Sequence, residues 1–570
     1  LNIYRKHIAE KIAGIIGDDK IEAEPLLEYP PSDQMVDLAF PCFSLAKSLR
    51  KSPKVIAEEL KDKFPSDQLI EKAETAGPYV NFFVNKNHLI SNVLKQINSE
   101  KANYGKSDIG SGQTIAIEYS APNIAKPFGI GHLRSTVIGA SLKRIFEHLG
   151  YKTIGINHLG DWGTQFGKLV LAYKKWGDDS KLAENPIGHL YEIYVKIHQA
   201  EEKDEKIAEQ TRAEFKKLEQ GDSENLSLWK KFSDLSKKEF GKIYKILNVS
   251  FDYDMGESFY IDKIPGVENS LENSGLLKKS RQATIVDLED YGMPPVLIKK
   301  SDDTSLYATR DLAAAIYRKE TYNFDKMVYV VGIAQSLYFR QLFKTLELMG
   351  NDWASDCHHV SFGWIKLGEE MMSTRRGNIV FLEDVLNKTI DKARKIIEEN
   401  SPDLNDPESV ARAVGIGAVI FTDLSSRRGS DISFDWNRML DFRGNSGPYI
   451  QYSHARICSI LRKYGKEVPQ QYNADLLILP EEFAIAKMLS RYPDIIVKAS
   501  KEFDPFYIST FLLELCGVFN TYYQKYRSPK DRILSSEDEL SEPRVALVSC
   551  VKTVLFSGLE ILGISAPEMM

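Results

Sequence analysis

Apolar and polar positions alternate from Thr114 to Tyr119, with Ile115, Ile117 and Tyr119 on one face, and this period of two predicts a short strand. Pro122 and Pro127 then interrupt regular structure, while Gly129 and Gly131 leave the backbone open to close approach. From His132 onward Ile138, Leu142, Ile145 and Leu149 recur at spacings of four, three and four, the period of an amphipathic helix. The unit is strand, glycine-bearing loop, helix start. Such a unit gathers free N–H groups and the positive end of a helix dipole where a phosphate binds. The loop lacks both G-x-x-x-x-G-K-[ST] and G-x-G-x-x-G, and instead carries G-I-G-H at Gly129 to His132 with Lys126 upstream. Taken alone, such a loop is as often a plain turn as a site.

The same patterning predicts a helix over Ile3–Ile16, a charged helix near Pro53–Phe64, and a strand in Gly77–Val84. The aromatics of that strand read first as core and second as a surface on which bases stack. Lys101–Gly112 is a polar, glycine-rich linker. A second strand, Lys152–Asn157, runs straight into NHLGDWGTQFG at Asn157–Gly167, and polar residues crowded at a strand end mark the ligand side of an α/β sheet. Ile197–Leu247 reads as an inserted helical hairpin with a solvated face. Strands return at Thr284–Leu288, Pro295–Lys299 and Met327–Val331, the last followed by Gly332–Gln335. Between them, Tyr307 and Asp311 lie four apart and share a helix face. That pair suits a guanidinium or ammonium, or is simply a helix start with an exposed acid. Met371–Asn378 joins hydroxyls, two arginines and a glycine, a composition for phosphate contacts or for a solvated basic turn. Ala411–Leu424 is helical, and Ser426–Asp431 is a basic break. From about Asp441 three helices are expected, at Glu482–Ser500, Pro505–Arg527 and Pro543–Leu562. Most aromatics of the middle one are core, and the exposed remainder can stack on unpaired bases.

A chain of 570 residues needs roughly three to five domains. The longest nearly uninterrupted apolar run, Ala413–Phe421, is too short for a bilayer, so no membrane association is expected. No signal-peptide pattern opens the chain, which begins on Leu1 rather than Met and so leaves room for an upstream piece. Five scattered cysteines without a C-x-x-C pair argue for a reducing, cytoplasmic setting. Cys357-His358-His359 is a weak metal candidate, because adjacent residues seldom face one ion. A net charge of −6 exerts no global pull on nucleic acid, yet a local basic face is enough to bind it.

Several segments together resemble the arginyl-tRNA synthetases, a family of class I aminoacyl-tRNA synthetases. They are SAPNIAKP at 120–127, GHLRST at 131–136, NHLGDWGTQFG at 157–167, SLYATRDLAAA at 305–315, MSTRRGN at 372–378, FDWNRML at 434–440, GPYIQYSHAR at 447–456 and the ending GLEILGISAPEMM at 558–570. The resemblance implies a multidomain α/β protein. Its parts are a small α+β N-terminal domain that touches the tRNA elbow (1–108), a class I Rossmann-type catalytic domain with a helical insertion (109–360, insertion about 176–260), a signature-loop and stem-contact region (361–440), and an all-α C-terminal anticodon-binding bundle (441–570). It also implies ATP-dependent activation of L-arginine to arginyl-adenylate and transfer to the 3′ end of tRNA(Arg), with tRNA bound before the first step. Mg²⁺ is expected with ATP, no protein metal ligand is assigned, and a monomer is expected.

By family position, Lys126, His132, Ser373 and Arg375 are catalytic, and Gly129, Gly131, His132, Met372 and Ser373 hold ATP. Glu118, Asn123, Tyr307, Asp311 and Gln335 bind arginine, whose planar, always-charged guanidinium requires acids. Tyr79 and Asn81 contact the tRNA D-loop, with Ala76 lacking the polar side chain for a third contact. The signature loop has no lysine, and Lys126 takes that role as in other members. Three positions depart from the pattern: Gly129 replaces the first signature histidine, Asp303 a glycine, and Tyr338 a histidine. Loss of an ATP-facing histidine removes about 2–4 kcal/mol of transition-state stabilisation unless it is compensated. Two other readings stand beside the synthetase, a paralogue that activates arginine for another acceptor and a non-catalytic tRNA-binding protein.

Overall fold

A computed structural model describes residues 2–17, 22–29, 36–280, 283–299, 307–367 and 380–570. At the N-terminus β1 (Leu38–Pro41), β2 (Ile70–Ala76) and β3 (Tyr79–Val84) form an antiparallel sheet in the order β1-β3-β2, with helices Asn2–Ile16, Pro53–Lys63 and Lys86–Glu100 around it. Val80, Phe82 and Val84 are buried, whereas Tyr79, Asn81 and Phe83 alternate to the half-exposed face. The strand therefore supplies both core and surface, where its composition read mainly as core. This sheet is tied to the C-terminal helices by a buried ion pair, Lys487 Nζ to Asp37 Oδ1 at 2.8 Å.

The central sheet contains β4 (Thr114–Glu118), β5 (Lys152–Asn157), β6 (Tyr253–Asp254), β10 (Lys326–Gly332) and β11 (Cys357–Phe362), all parallel, in the order β11-β10-β4-β5-β6. The chain moves outward from β4 to β5 and β6 on one side, then restarts at β10 and β11 on the other. The carboxyl ends of β4 and β10 therefore flank a topological switch point, the place where open α/β sheets bind ligands. Helix Gly131–His148 covers this sheet, and Gly139 lets it approach β4 so closely that a Cβ there would overlap the Tyr119 side chain. A small antiparallel sheet, β7 (Leu277–Ser280), β8 (Ala283–Val286) and β9 (Val296–Lys299), precedes helix Tyr307–Tyr322.

The insertion is more segmented than one hairpin. Helices Pro186–Glu201, Glu205–Glu219 and Ser223–Ile246 are separated by breaks at which Asp204 and Asp222 accept backbone N–H groups of the next helix. Short acidic caps of this kind restart a helix after a break, and Gly221, at φ 83°, makes the turn before the second one. Beyond the central sheet, β12 (Ile365–Leu367) pairs in parallel with β13 (Ile432–Phe434), and helices Leu382–Asn400 and Pro407–Leu424 pack together. The C-terminal bundle has four helices, Gly447–Tyr464, Pro480–Lys501, Phe506–Lys525 and Asp538–Leu562, one more than expected. The extra one starts where the Ser446 hydroxyl accepts from Tyr449 N. Asp538–Leu562 is long and apolar enough by composition to cross a membrane, yet it is mostly buried among the other helices.

Candidate active site

The loop after β4 is strained where the site begins. Ser120, Ala121 and Ala125 hold left-handed φ values of 72°, 49° and 58°, each costing about 1–3 kcal/mol for a non-glycine residue. Side chains fix the loop on every side. Ser135 Oγ accepts from Ser120 N at 2.9 Å and donates to Val330 O at 2.6 Å, and Ser236 Oγ accepts from Ala125 N at 2.8 Å. The loop after β5 is bonded to the same segment through Gly160 N to Pro122 O at 3.1 Å and Ile124 N to Gly160 O at 3.2 Å. Gly160 is required there, since a Cβ would overlap the Asn123 amide.

The signature helix begins at Gly131. His132 Nδ1 is buried without a hydrogen-bond partner, and its ring lies 5.2 Å from that of Phe128. Burial pushes the His132 pKa down, as does Lys126, so the ring stays neutral. Lys126 is half-buried with Nζ 5.2 Å above the Tyr194 ring, and burial lowers its pKa as well. A neutral imidazole, an exposed helix N-terminus at Gly131 and a partly desolvated ammonium form a donor set suited to phosphate. Gly129 bridges Phe381, with Ile130 N donating to Val380 O and Leu382 N to Phe128 O, both at 3.0 Å. The glycine segment is thus hydrogen-bonded to the chain that follows the Met371–Asn378 stretch. Met372, Ser373 and Arg375 themselves, and Asp303, lie outside the described residues.

At the carboxyl ends of β4 and β10 a cavity of about 440 Å³ opens. Glu118, Asn123, Tyr307, Asp311 and Gln335 all line it, together with His158, Glu257, Arg318, Tyr329 and Tyr338. Tyr307, Asp311, Ala314 and Arg318 present one face of helix Tyr307–Tyr322 to this space. Asp311 accepts a hydrogen bond from the Tyr338 hydroxyl, and His158 Nε2 lies 3.6 Å from Asp311 Oδ1.

Two of the acids are already paired within the chain. Arg318, almost fully buried, donates from Nη1 to Glu118 Oε2 at 2.6 Å, and its guanidinium lies 5.7 Å from the Tyr260 ring centroid and 5.8 Å from that of Tyr329. Burial opposes its charge, but Tyr260 and Glu118 keep it firmly protonated. Glu118 therefore meets an internal guanidinium first, which its reading as a direct ligand for arginine did not anticipate. Glu257 Oε2 stands 3.1 Å from Arg310 Nε, and Arg310 stacks over the Tyr307 ring at 4.8 Å. Burial pushes the Glu257 pKa up to about 7 against the pull of Arg310 and His158. The Glu257 segment is held by Asp161, whose carboxylate accepts from Ser258 N at 2.8 Å and Ser258 Oγ at 2.7 Å. Glu257 and Arg318 escaped the sequence reading. Arg318 continues the spacing of Tyr307, Asp311 and Ala314, whereas a lone acid beyond a long insertion carries no local signal.

Away from this site, Tyr79 and Asn81 share the outward face of β3, with the Phe43 ring edge-on to Tyr79 at 5.8 Å. A cavity of about 720 Å³ lies between helix Leu382–Asn400 and the bundle, lined by Tyr449, Tyr452, Arg456 and Asn520 among others.

A parallel sheet with a G-I-G-H helix start beside its switch point, followed by a helical bundle, is the architecture of a class I aminoacyl-tRNA synthetase. The family profile described as "tRNA synthetases class I (R), catalytic domain" matches residues 92–436, flanked by "Arginyl tRNA synthetase N terminal domain" at 2–84 and "DALR anticodon binding domain" at 450–570. The chain is 48% identical over 567 residues to an arginine–tRNA ligase of Clostridium acetobutylicum and 46% identical over 568 residues to one of Halothermothrix orenii, covering all of both. Its fold matches Thermus thermophilus arginyl-tRNA synthetase with a TM-score of 0.85 at 26% identity, over 99% of this chain and 100% of that one. A Plasmodium falciparum arginyl-tRNA synthetase matches at 0.81 and 25%, over 99% of each chain. The chain belongs to the arginyl-tRNA synthetase family.

Proposed function

We propose that this chain is an arginine–tRNA ligase whose 440 Å³ cavity takes L-arginine. The observation that carries this reading is the convergence of three acids, Glu118, Asp311 and Glu257, at the switch point of the sheet. Asp311 and Glu257 receive the guanidinium, Tyr307 covers it, and Asn123 and Gln335, which also line the cavity, orient the α-amino and carboxylate groups. Glu118 acts by its charge and by holding Arg318.

ATP is the co-substrate. The Gly131 backbone, His132 and Lys126 receive its phosphates beside Gly129, and Met372, Ser373 and Arg375 keep the roles that family position gives them. Lys126 offsets the negative charge that develops as arginine's carboxylate attacks the α-phosphate and pyrophosphate leaves. Mg²⁺ arrives on the nucleotide, held by phosphates and water, with no protein ligand assigned to it. Tyr79 and Asn81 meet the tRNA elbow and the C-terminal bundle meets the anticodon of tRNA(Arg), in a monomeric cytoplasmic enzyme.

The deciding experiment is ATP–pyrophosphate exchange with arginine, with and without total tRNA, followed by acid-precipitation charging. Exchange that requires tRNA, with arginine-specific charging, is the expected result. Tight tRNA binding without exchange would sink the assignment, and exchange without charging would redirect it to another acceptor.

A further inference from the structure

The cavity floor holds more titratable groups than a single guanidinium can satisfy. His158 sits among them, with its side chain 11% exposed. Glu118 faces it from β4, Asp311 and Arg318 from helix Tyr307–Tyr322, and Glu257 and Tyr260 from the turn Glu257–Lys263. Glu257 is faced in turn by Arg310, Tyr307 and Asp161. The acids around the cavity outnumber the arginines by one, Glu118, Asp311 and Glu257 against Arg318 and Arg310, and burial pushes Glu257 up to about 7.

Both ring nitrogens of His158 are placed to answer that surplus. Nε2 faces Asp311 Oδ1 at an ion-pair separation of 3.6 Å, which favours a hydrogen on that side. Nδ1 has two alternative partners. Met255 O, an acceptor only, lies 3.1 Å away, and Arg318 Nη2, a donor only, lies 3.3 Å away. A charged ring donates from Nδ1 to Met255, and a neutral ring accepts there from Arg318. Each protonation state has its own hydrogen bond, which an ordinary core histidine does not need.

We propose that His158 is a specificity-determining residue that carries a proton in the empty cavity and gives it up when a guanidinium enters. The inference rests on the arginine reading of the cavity. The arriving cation takes over Asp311 and Glu257, the imidazolium becomes a like charge beside it, the Nδ1 proton passes to solvent, and Nδ1 turns from Met255 to Arg318. Burial alone would pull the His158 pKa down, but Glu118 and Asp311 outweigh it and Arg318 and hold the pKa above the ordinary value, which favours the charged ring. A neutral isostere such as citrulline displaces no proton. The preference for arginine over citrulline therefore grows as pH rises.

The test is calorimetric titration of the full chain with L-arginine from pH 6 to 8.5, in two buffers of different ionisation heat, with and without total tRNA. Below the pKa of the empty cavity, arginine affinity should rise about tenfold per pH unit, with about one proton released per arginine, and it should level off above. Citrulline binding should stay flat. His158→Gln should abolish the slope, and Glu257→Gln should keep it. Proton release near zero across the range in the unmodified chain would overturn the proposal, as would a slope that survives His158→Gln. A slope lost in Glu257→Gln but kept in His158→Gln would assign the proton to Glu257 and overturn it too. No arginine binding at any pH, with or without tRNA, would instead overturn the arginine reading of the cavity.

Discussion

Asp311→Asn isolates the charge at the cavity wall, because asparagine keeps the shape and still offers an oxygen to the Tyr338 hydroxyl. Removing the charge from one side of a buried, hydrogen-bonded ion pair costs about 2–5 kcal/mol. Asp311 is 28% exposed in the empty cavity, and Glu257 lines the same space, so the lower part of that range applies, about 2–3 kcal/mol. At 1.4 kcal/mol per factor of ten, the KM for arginine should rise roughly 30- to 150-fold. The KM for ATP should stay within about twofold, since the phosphate surface at Gly131 is built from other elements. The assay is steady-state charging with arginine and ATP varied independently, beside circular dichroism to show an unchanged fold. A KM for arginine within threefold of the parent would refute the reasoning, because an acid that holds the guanidinium cannot lose its charge so cheaply.

Three further outcomes follow from the same geometry. Lys126→Ala should lower the exchange rate about 100- to 1,000-fold with little change in ATP affinity, because its charge acts on what develops in the transition state, and an effect on affinity alone would contradict that role. Gly129→His should leave activity similar or higher if the loop merely tolerates glycine, and a dead variant in the exchange assay would show that the bridge to Phe381 requires it. Arg318→Met should destabilise the catalytic domain by about 3–5 kcal/mol, since it strands the buried Glu118 carboxylate. Adding Glu118→Gln should recover more than half of that loss in the first thermal transition, and simply additive losses would argue against the pair.

Three strands of the central sheet were legible because their apolar runs are short, bounded and of period two or continuous, whereas Tyr253–Asp254 and Cys357–Phe362 were not read as strands. Thr114–Glu118 and Lys152–Asn157 fall where the pattern predicts them. Tyr307 and Asp311 were legible as neighbours because helical spacing is local arithmetic. The insertion and the bundle were less so, since Asp204, Asp222 and Ser446 cap helices by hydrogen bonds that no apolar period encodes. The motifs carried the family across the whole chain, yet a motif names a residue and not its partner. Glu118 is conspicuous in sequence as an acid at a strand end, but that Arg318, 200 positions away, already occupies one of its oxygens follows only from the fold.

That occupied oxygen explains how a pocket for a cation can be built at all. Three buried acids with no counter-charge would repel one another and take up protons, becoming neutral and useless for recognising a guanidinium. Arg318 and Arg310 each face one acid from within and favour its ionised form, Arg310 against the burial that pushes Glu257 up to about 7, which leaves an excess of one acid at the cavity. The pocket is therefore matched to one cation and not to the largest possible field. An amino acid with an uncharged side chain brings no cation to match that excess, and an acidic one adds to it. Selectivity on this view lies as much in the two internal arginines as in the acids, and Glu118 is best understood as the anchor that holds one of them in place.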